Sequence, residues 1–272
     1  MTFIASRFHF SRWAFLGLLI LTGCDSTTET DVHIDGGSRR FEARETFSFE
    51  VDVAQQSRFR LEAINGNVKI DGRPGIGSVT ITGERIVESS SRSDAEDHLD
   101  DLAVQVRDFA NEVVVRTIQP RTSHHRNYVI HYTITVPQDL GLEVTHVNGN
   151  LDVDTIENTV SVIHANGNVN LTNIVGSAMV KVVNGFINGD VTMPRDGTIE
   201  MSTSNGNIDL AIPASTSATL SASVLNGRIQ TSNLALEDQD DSPRSLDGTL
   251  GDGDGTIELK TLNGNINVAG RN

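Results

Sequence analysis

The feature that most constrains this chain is a dipeptide. Asn-Gly recurs at Asn65-Gly66, Asn148-Gly149, Asn166-Gly167, Asn184-Gly185, Asn205-Gly206, Asn226-Gly227 and Asn263-Gly264. From Asn148 onward the copies start 18, 18, 21, 21 and 37 residues apart. A further pair, Asn188-Gly189, falls out of register inside the copy at Asn184. Three residues after the Asn stand Val68, Leu151, Val169, Ile187, Ile208, Ile229 and Ile266, all aliphatic. Four before it stand Leu61, Val144, Val162, Val180, Met201, Ala222 and Leu259. Five after it, most copies are again apolar, with Gly189 and Thr231 as the departures. The positions between are mostly Asn, Asp, Thr, Lys or Ser. Each copy therefore reads as two short strands with one apolar face each, joined at Asn-Gly. Neither strand can bury its face alone, whereas stacked copies can line one continuous core.

Two architectures fit this pattern. In an antiparallel meander, Asn-Gly is a two-residue hairpin turn, because both residues tolerate positive φ. In a parallel β-solenoid, Asn-Gly is the same corner of every coil, and equivalent residues stack about 4.8 Å apart. Corner Asn side chains can then bond to one another in a ladder. The second Asn of each Asn-Gly-Asn (Asn67, Asn150, Asn168, Asn207 and Asn265) supplies another. Only the solenoid explains why this corner is nearly invariant while the other connections vary up to about twenty residues. The expected fold is all-β, a parallel β-solenoid or β-helix-like stack of Asn-Gly-cornered repeats over 142–272. The antiparallel meander of Asn-Gly hairpins is the alternative.

An N-terminal β region over 41–141 precedes the repeats. It alternates in "FEARETFSFEVDV", "RFRLEAINGNVKIDG" and "NYVIHYTITVP". Ser and Asp near 91–94, with Ala95, Leu99, Leu102 and Ala103 on one face, predict one short helix near 92–104. "VQVRDFANEVVVRTI" predicts a hairpin turning at Phe109-Ala110-Asn111. Late in the chain, "LALEDQDDSPRSLDGTLGDGDG" carries no strand signal and reads as an acidic surface loop over 236–255.

The first residues have a different character. Arg7 and Arg12 precede the apolar run "WAFLGLLILTG", and no acidic residue occurs before Cys24. This is the layout of a secretion signal over 1–23, too short to be comfortable as a spanning helix. Leu21-Thr22-Gly23-Cys24 resembles the bacterial lipobox, which implies lipidation at Cys24, the one Cys of the chain. Residues 24–40 read as a polar tether. The expected location is the exported side of the inner or outer membrane, with the membrane held through the lipid anchor.

Charge narrows the partners. The chain has 21 basic and 36 acidic residues, a formal net charge of −15. Removing Arg7 and Arg12 leaves 19 against 36, or −17. No basic stripe is visible, so nucleic acid is not an expected partner. The sequence leaves an envelope protein or polysaccharide. The last copy ends close to the C-terminus, which leaves that end of a stack open to end-to-end self-association or to a covering loop.

With those segments in view, the chain resembles a bacterial family of envelope lipoproteins labelled "putative adhesins". The likeness rests on the lipobox, "ITGERIVES", "AEDHLDDLAVQV", "NYVIHYTITVP" and the reiterated "VNGNL" and "LNGNI", and covers roughly residues 45–272. The resemblance implies a domain of unknown function with a β-solenoid-like body, exported and non-catalytic. It brings no catalytic residues to transfer.

The residues themselves give little chemistry. His146 and His164 share the repeat position two before the Asn, but no third metal ligand follows from the pattern. "GDGDG" at 251–255 offers Asp252 and Asp254 to a hard cation, but in a spacing that matches no calcium loop, so a glycine-rich turn is the better reading. "DQDD" at 238–241 reads as a solvated acidic loop. His124-His125 lies in a polar loop. No carboxylate pair can be placed, and no GxSxG elbow, phosphate loop or dinucleotide fingerprint occurs. The sequence thus predicts no catalytic residue, no cofactor and no metal. A carbohydrate-active β-helix enzyme is the remaining alternative to a binding surface or a self-associating scaffold.

Overall fold

Alternation of apolar and polar residues makes strands, and this chain alternates almost throughout. The computed structural model describes residues 40–271, so Cys24, the signal segment and most of the tether lie outside the described residues. The N-terminal region forms β1 (Phe41–Asp52), β2 (Arg58–Asn65), β3 (Val68–Arg73) and β4 (Ser78–Ser89). Helix α1 (Arg92–Asp97) follows, then β5 (Ala103–Asp108), β6 (Glu112–Ile118) and β7 (Asn127–Pro137). The repeats form β8 (Gly141–Asn148), β9 (Leu151–Ile156), β10 (Val160–Asn166), β11 (Val169–Val175), β12 (Ala178–Asn184) and β13 (Ile187–Thr192). Next come β14 (Thr198–Asn205), β15 (Ile208–Pro213), β16 (Ala218–Asn226) and β17 (Ile229–Ser232). The chain closes with β18 (Leu236–Ser242), β19 (Ser245–Leu250), β20 (Gly255–Asn263) and β21 (Ile266–Arg271).

These strands build two sheets. The ten-stranded sheet runs β1-β4-β7-β3-β9-β11-β13-β15-β21-β17, and the eleven-stranded sheet runs β18-β19-β16-β20-β14-β12-β10-β8-β2-β6-β5. Every aligned Asn-Gly carries the chain from the second sheet to the first, while Asn188-Gly189 lies within β13. Strands flanking a corner are therefore not paired with each other, and the hairpin alternative is wrong. Instead Asn148 sits beside Asn166, and Asn166 beside Asn184, in parallel register. The fold is a β-solenoid of two-strand coils around one core. The aliphatic residues at the three fixed offsets fill it: Leu61, Val68, Leu151, Ile187, Met201, Ile208, Leu259 and Ile266 are all buried. The exceptions compensate. Gly189 occupies a position that is apolar elsewhere, and a Cβ there would lie 2.7 Å from Met201 Cε, which fills the space.

The coils do not stack in chain order. The coil β6–β7 lies outside β2–β3, and β20–β21 is inserted between β14–β15 and β16–β17. The last copy in sequence is thus internal, and the end coil is β16–β17. The expectation that the final copy leaves the end bare is corrected accordingly. The 236–250 segment is also corrected: it is not a loop but an antiparallel hairpin, β18–β19, laid on β16 at the open edge of the eleven-stranded sheet. Only one face of that hairpin needs to be apolar, and Leu246 and Leu250 supply it. At the opposite end, β5 flanks β6, and β4 and β1 flank β7, all antiparallel.

The helix is shorter than the expected 92–104. Ser91 caps α1 by accepting from the Asp94 N–H, and Ala95 and Leu102 are buried. Asp97, Asp100 and Asp101 then gather at its C-terminal end, where carboxylates oppose the helix dipole. A single 3-10 turn over Leu99–Asp101 follows, and the chain is extended again from Ala103.

Candidate functional site

The corner is built by Gly and held by Asn. In every aligned copy the Gly has positive φ, from +118° at Gly66 to +155° at Gly206 and Gly227. None of the seven Asn residues has positive φ, so the corner is not the doubly positive turn of a hairpin. The Gly is also required by the stack. A Cβ on Gly167 would lie 1.9 Å from Gly149 O, and one on Gly185 1.9 Å from Gly167 O. The Gly N–H donates to the next coil's Asn carbonyl, as in Gly149 N to Asn166 O at 3.0 Å.

Asn65, Asn148, Asn166, Asn184, Asn205, Asn263 and Asn226 form an unbroken column in that spatial order. Each Nδ2 donates to the previous Oδ1, at 2.7 Å (Asn148 to Asn65), 2.9 Å (Asn166 to Asn148 and Asn184 to Asn166) and 2.8 Å (Asn205 to Asn184). Asn263 to Asn205 and Asn226 to Asn263 complete it at 2.9 Å each. Asn65 closes the near end on Tyr128 O at 2.9 Å. A second column runs beside the first. Asn67, Asn150, Asn168, Asn207 and Asn265 each offer Oδ1 to the backbone N–H of the adjoining coil, as in Asn150 N to Asn67 Oδ1 at 3.0 Å. Phe186 interrupts this column, accepting nothing and donating its N–H to Asn168 Oδ1.

Apolar side chains flank the ladder in solvent. The residues just before the Asn are, in stack order, Ile64, Val147, Ala165, Val183, Ser204, Leu262 and Leu225. Val183, Leu262, Leu225 and the neighbouring Phe186 are each about half exposed, at 50, 52, 54 and 48 %. On the outer face of the ten-stranded sheet, Asn170 Nδ2 donates to Asp152 Oδ1 at 2.6 Å and Asn188 Nδ2 to Asn170 Oδ1 at 2.7 Å. That face also carries Asp154, Asp190 and Asp209. The corner edge is therefore an amide ladder bordered by an apolar strip.

His146 and His164 are brought together inside the core. Their rings stack with centroids 4.8 Å apart, and both side chains are buried. His164 Nδ1 lies 3.2 Å from His146 O, while both ring nitrogens of His146 and Nε2 of His164 have no hydrogen-bond partner. Their neighbours in the column are Ala63 and Val182, and among the described residues no group of three metal-ligating side chains occurs. Burial pushes both imidazoles toward the neutral form, and the charge of His164 adds to this at His146, whose pKa falls from 6.5 to about 4.

The carboxylates of the GDGDG turn are held from within the chain. Arg195 donates Nη2 to Asp252 at 2.9 Å and Nε to Asp254 at 2.7 Å. Ser217 Oγ donates to Asp254 Oδ2 at 2.8 Å. The Ser217 hydroxyl and then Arg195 hold the Asp254 carboxyl below its ordinary range. His124 and His125 are exposed loop residues.

Sequence reasoning missed one cluster. Arg60, Arg107 and Arg116, with Gln105, Phe109, Glu112 and Val114, line a depression of about 180 Å³ on the eleven-stranded sheet. Gln105, Arg107, Phe109, Glu112, Val114 and Arg116 lie on or beside the turn of the β5–β6 hairpin that the sequence predicts, and only Arg60 is brought in non-locally, by the pairing of β2 with β6.

Residues 140–269 match the family model described as Toastrack DUF4097. No curated protein matches the chain. A "putative cell adhesion protein" from Clostridium sporogenes ATCC 15579 is similar at 12 % identity and a TM-score of 0.46, over 84 % of this chain and all of that one. A "putative adhesin" from Bacteroides fragilis NCTC 9343 is similar at 12 % identity and a TM-score of 0.35, over 82 % of this chain and 97 % of that one. None of these names states a reaction.

Proposed function

We propose that this chain, residues 140–269 of which match the Toastrack family model, is a lipid-anchored protein of the bacterial envelope whose solenoid is a non-catalytic surface for binding or adhesion. The observation that carries the reading is the corner edge. An apolar strip of Val147, Val183, Leu262 and Leu225, broken at Ser204, stands in solvent on one side of an Asn ladder at constant pitch, with Phe186 exposed in the neighbouring column. Exposed apolar residues in a line, bordered by polar ones, mark contact surfaces rather than ordinary solvent faces. A regular pitch suits a partner that is itself extended, an envelope protein or a polysaccharide chain.

The anchor rests on Leu21-Thr22-Gly23-Cys24 and the apolar run before it. With a body at −17 after removal of the leader, anionic headgroups repel the domain, so membrane contact falls to the acyl chains. The test is crosslinking in intact cells followed by capture of the protein and its partners. Wild type should bring down a discrete partner from the membrane fraction. Cys24→Ala should leave that fraction, and Val183→Asp with Leu262→Asp should lose the partner while keeping the fold. A partner retained by the double variant would remove the corner edge from the reading.

A further inference from the structure

The outer face of the eleven-stranded sheet changes character at its β5 end. Pairing of β2 with β6 sets Arg58 beside Glu112, Arg60 beside Val114 and Glu62 beside Arg116. Pairing of β6 with β5 sets Val114 beside Arg107 and Arg116 beside Gln105. Val114 points outward yet is only 7 % exposed. It is the apolar floor of a depression with Arg60 on one side and Arg107 on the other.

The charges here do not cancel. Arg116 is bound by Glu62 at 2.7 and 2.8 Å, and Arg60 Nη2 by both oxygens of Glu112 at 2.6 Å. Arg58 faces Glu143 at 3.4 Å. Arg107 is the fourth guanidinium, and among the described residues no carboxylate pairs with it. Arg60 Nε is enclosed and has no acceptor, since the nearest oxygen of Glu143 is 4.0 Å away. The depression therefore holds one uncompensated guanidinium, that of Arg107, beside the Arg60–Glu112 pair. This is a local positive excess, and so a place for an anion, on a chain whose net charge of −15 otherwise repels one.

Phe109 specifies more than an anion. It lines the same depression and is 45 % exposed. A bare ion would leave that ring unused. A neutral sugar would use the ring but leave Arg107 without an anionic partner. A flat carboxylate matches the guanidinium fork, and the C–H face of a pyranose matches an aromatic face. We propose that the depression lined by Arg60, Arg107 and Phe109 binds the carboxylate of an acidic saccharide, a uronate residue. This site lies away from the corner edge and stands or falls independently of the envelope reading.

The test is calorimetric titration of the full chain with galacturonate, with its methyl ester as neutral isostere, and with an acidic peptide and sulfate as competitors. The expected result is saturable binding of galacturonate, absent for the ester. Removing one charge-assisted bond should cost at least tenfold, so Arg107→Gln should weaken binding by about that factor. Phe109→Ala should weaken it too, and Arg244→Gln, on the distant hairpin, should not. Thermal midpoints within a few degrees of wild type would show that the variants fold. The proposal is overturned by no saturable uptake, by equal binding of the ester, by an Arg107→Gln protein that binds as wild type, or by tighter binding of the peptide or of sulfate.

Discussion

The stacked histidines make a quantitative prediction about acid. In the unfolded chain His146 titrates near 6.5, and in the fold near 4. Lowering the pH therefore protonates the unfolded state first, and stability falls. The contribution is complete above pH 6.5 and is lost progressively down to about 4. Over that window the displacement corresponds to about 3 kcal/mol. His164 is shifted in the same direction and adds to the loss. Asp94 does not confuse the window. Arg126 and then Ser89 hold its carboxyl low, so its contribution is present above the ordinary 3.8 and disappears only as the pH falls below it. The perturbation is His146→Val with His164→Val, since Val182 and Val224 already occupy that column. Urea unfolding at pH 7.5, 6.5, 5.5 and 4.5 is the assay. At pH 7.5 the double variant should lie within about 2 kcal/mol of wild type, because the lost ring volume is offset by removing nitrogens that have no partner. From pH 6.5 to 4.5, wild type should lose at least about 2 kcal/mol more than the variant. Parallel curves for the two proteins across that interval would refute the reasoning.

Three further outcomes follow from the stack. Gly185→Ala places a Cβ 1.9 Å from Gly167 O at φ +150°, and should cost more than about 2 kcal/mol in urea unfolding. Asn184→Ala breaks two rungs, to Asn166 and from Asn205, but the orphaned amides remain in water, so about 1 kcal/mol is expected in the same measurement. Deleting 255–272 removes the coil between β14–β15 and β16–β17. Hydrogen exchange should then show 58–192 still protected and 218–226 protected again, because β16–β17 presents the register and offsets of the deleted coil and closes onto β14–β15.

Much of the architecture is legible in the sequence because stacking forces it there. A corner that repeats in space must repeat its Gly, since the carbonyl of the coil beneath excludes a Cβ. It must repeat its Asn if each amide is to find another. The order of coils is not legible, for the same reason. Ile266 fits beside Ile208 as well as Ile229 would, because every coil presents the same register and the same aliphatic offsets. Nothing local forbids the chain from laying β16–β17 first and returning one coil inside. The β18–β19 hairpin was hidden differently. It covers an edge, so only Leu236, Leu246 and Leu250 need to be apolar, and the carboxylates between them mask the alternation.

The arginine depression shows the converse limit. Arg60, Arg107 and Arg116 come from three strands, and the two that flank Val114 meet only because β6 lies outside β2 and β5 outside β6. A reading of the sequence recovers the β5–β6 hairpin, and with it Arg107 beside Val114 and Arg116 beside Gln105, but nothing in it lays β6 outside β2, so Arg60 is not brought to them. The repeat thus fixes what the core must be, while its tolerance of reordering decides which surface residues become neighbours. On a solenoid with an internally uniform register, clusters of mixed charge beyond the repeated corner edge are expected where the order departs from the chain, at the two rearranged ends. Each end here holds an arginine set against carboxylates, but their balance differs. Arg195 at the C-terminal end has two partners and is saturated by Asp252 and Asp254, whereas Arg107 at the other end has none among the described residues. An anion added to the protein should therefore perturb the side-chain Nε–Hε resonance of Arg107 and leave that of Arg195 in place.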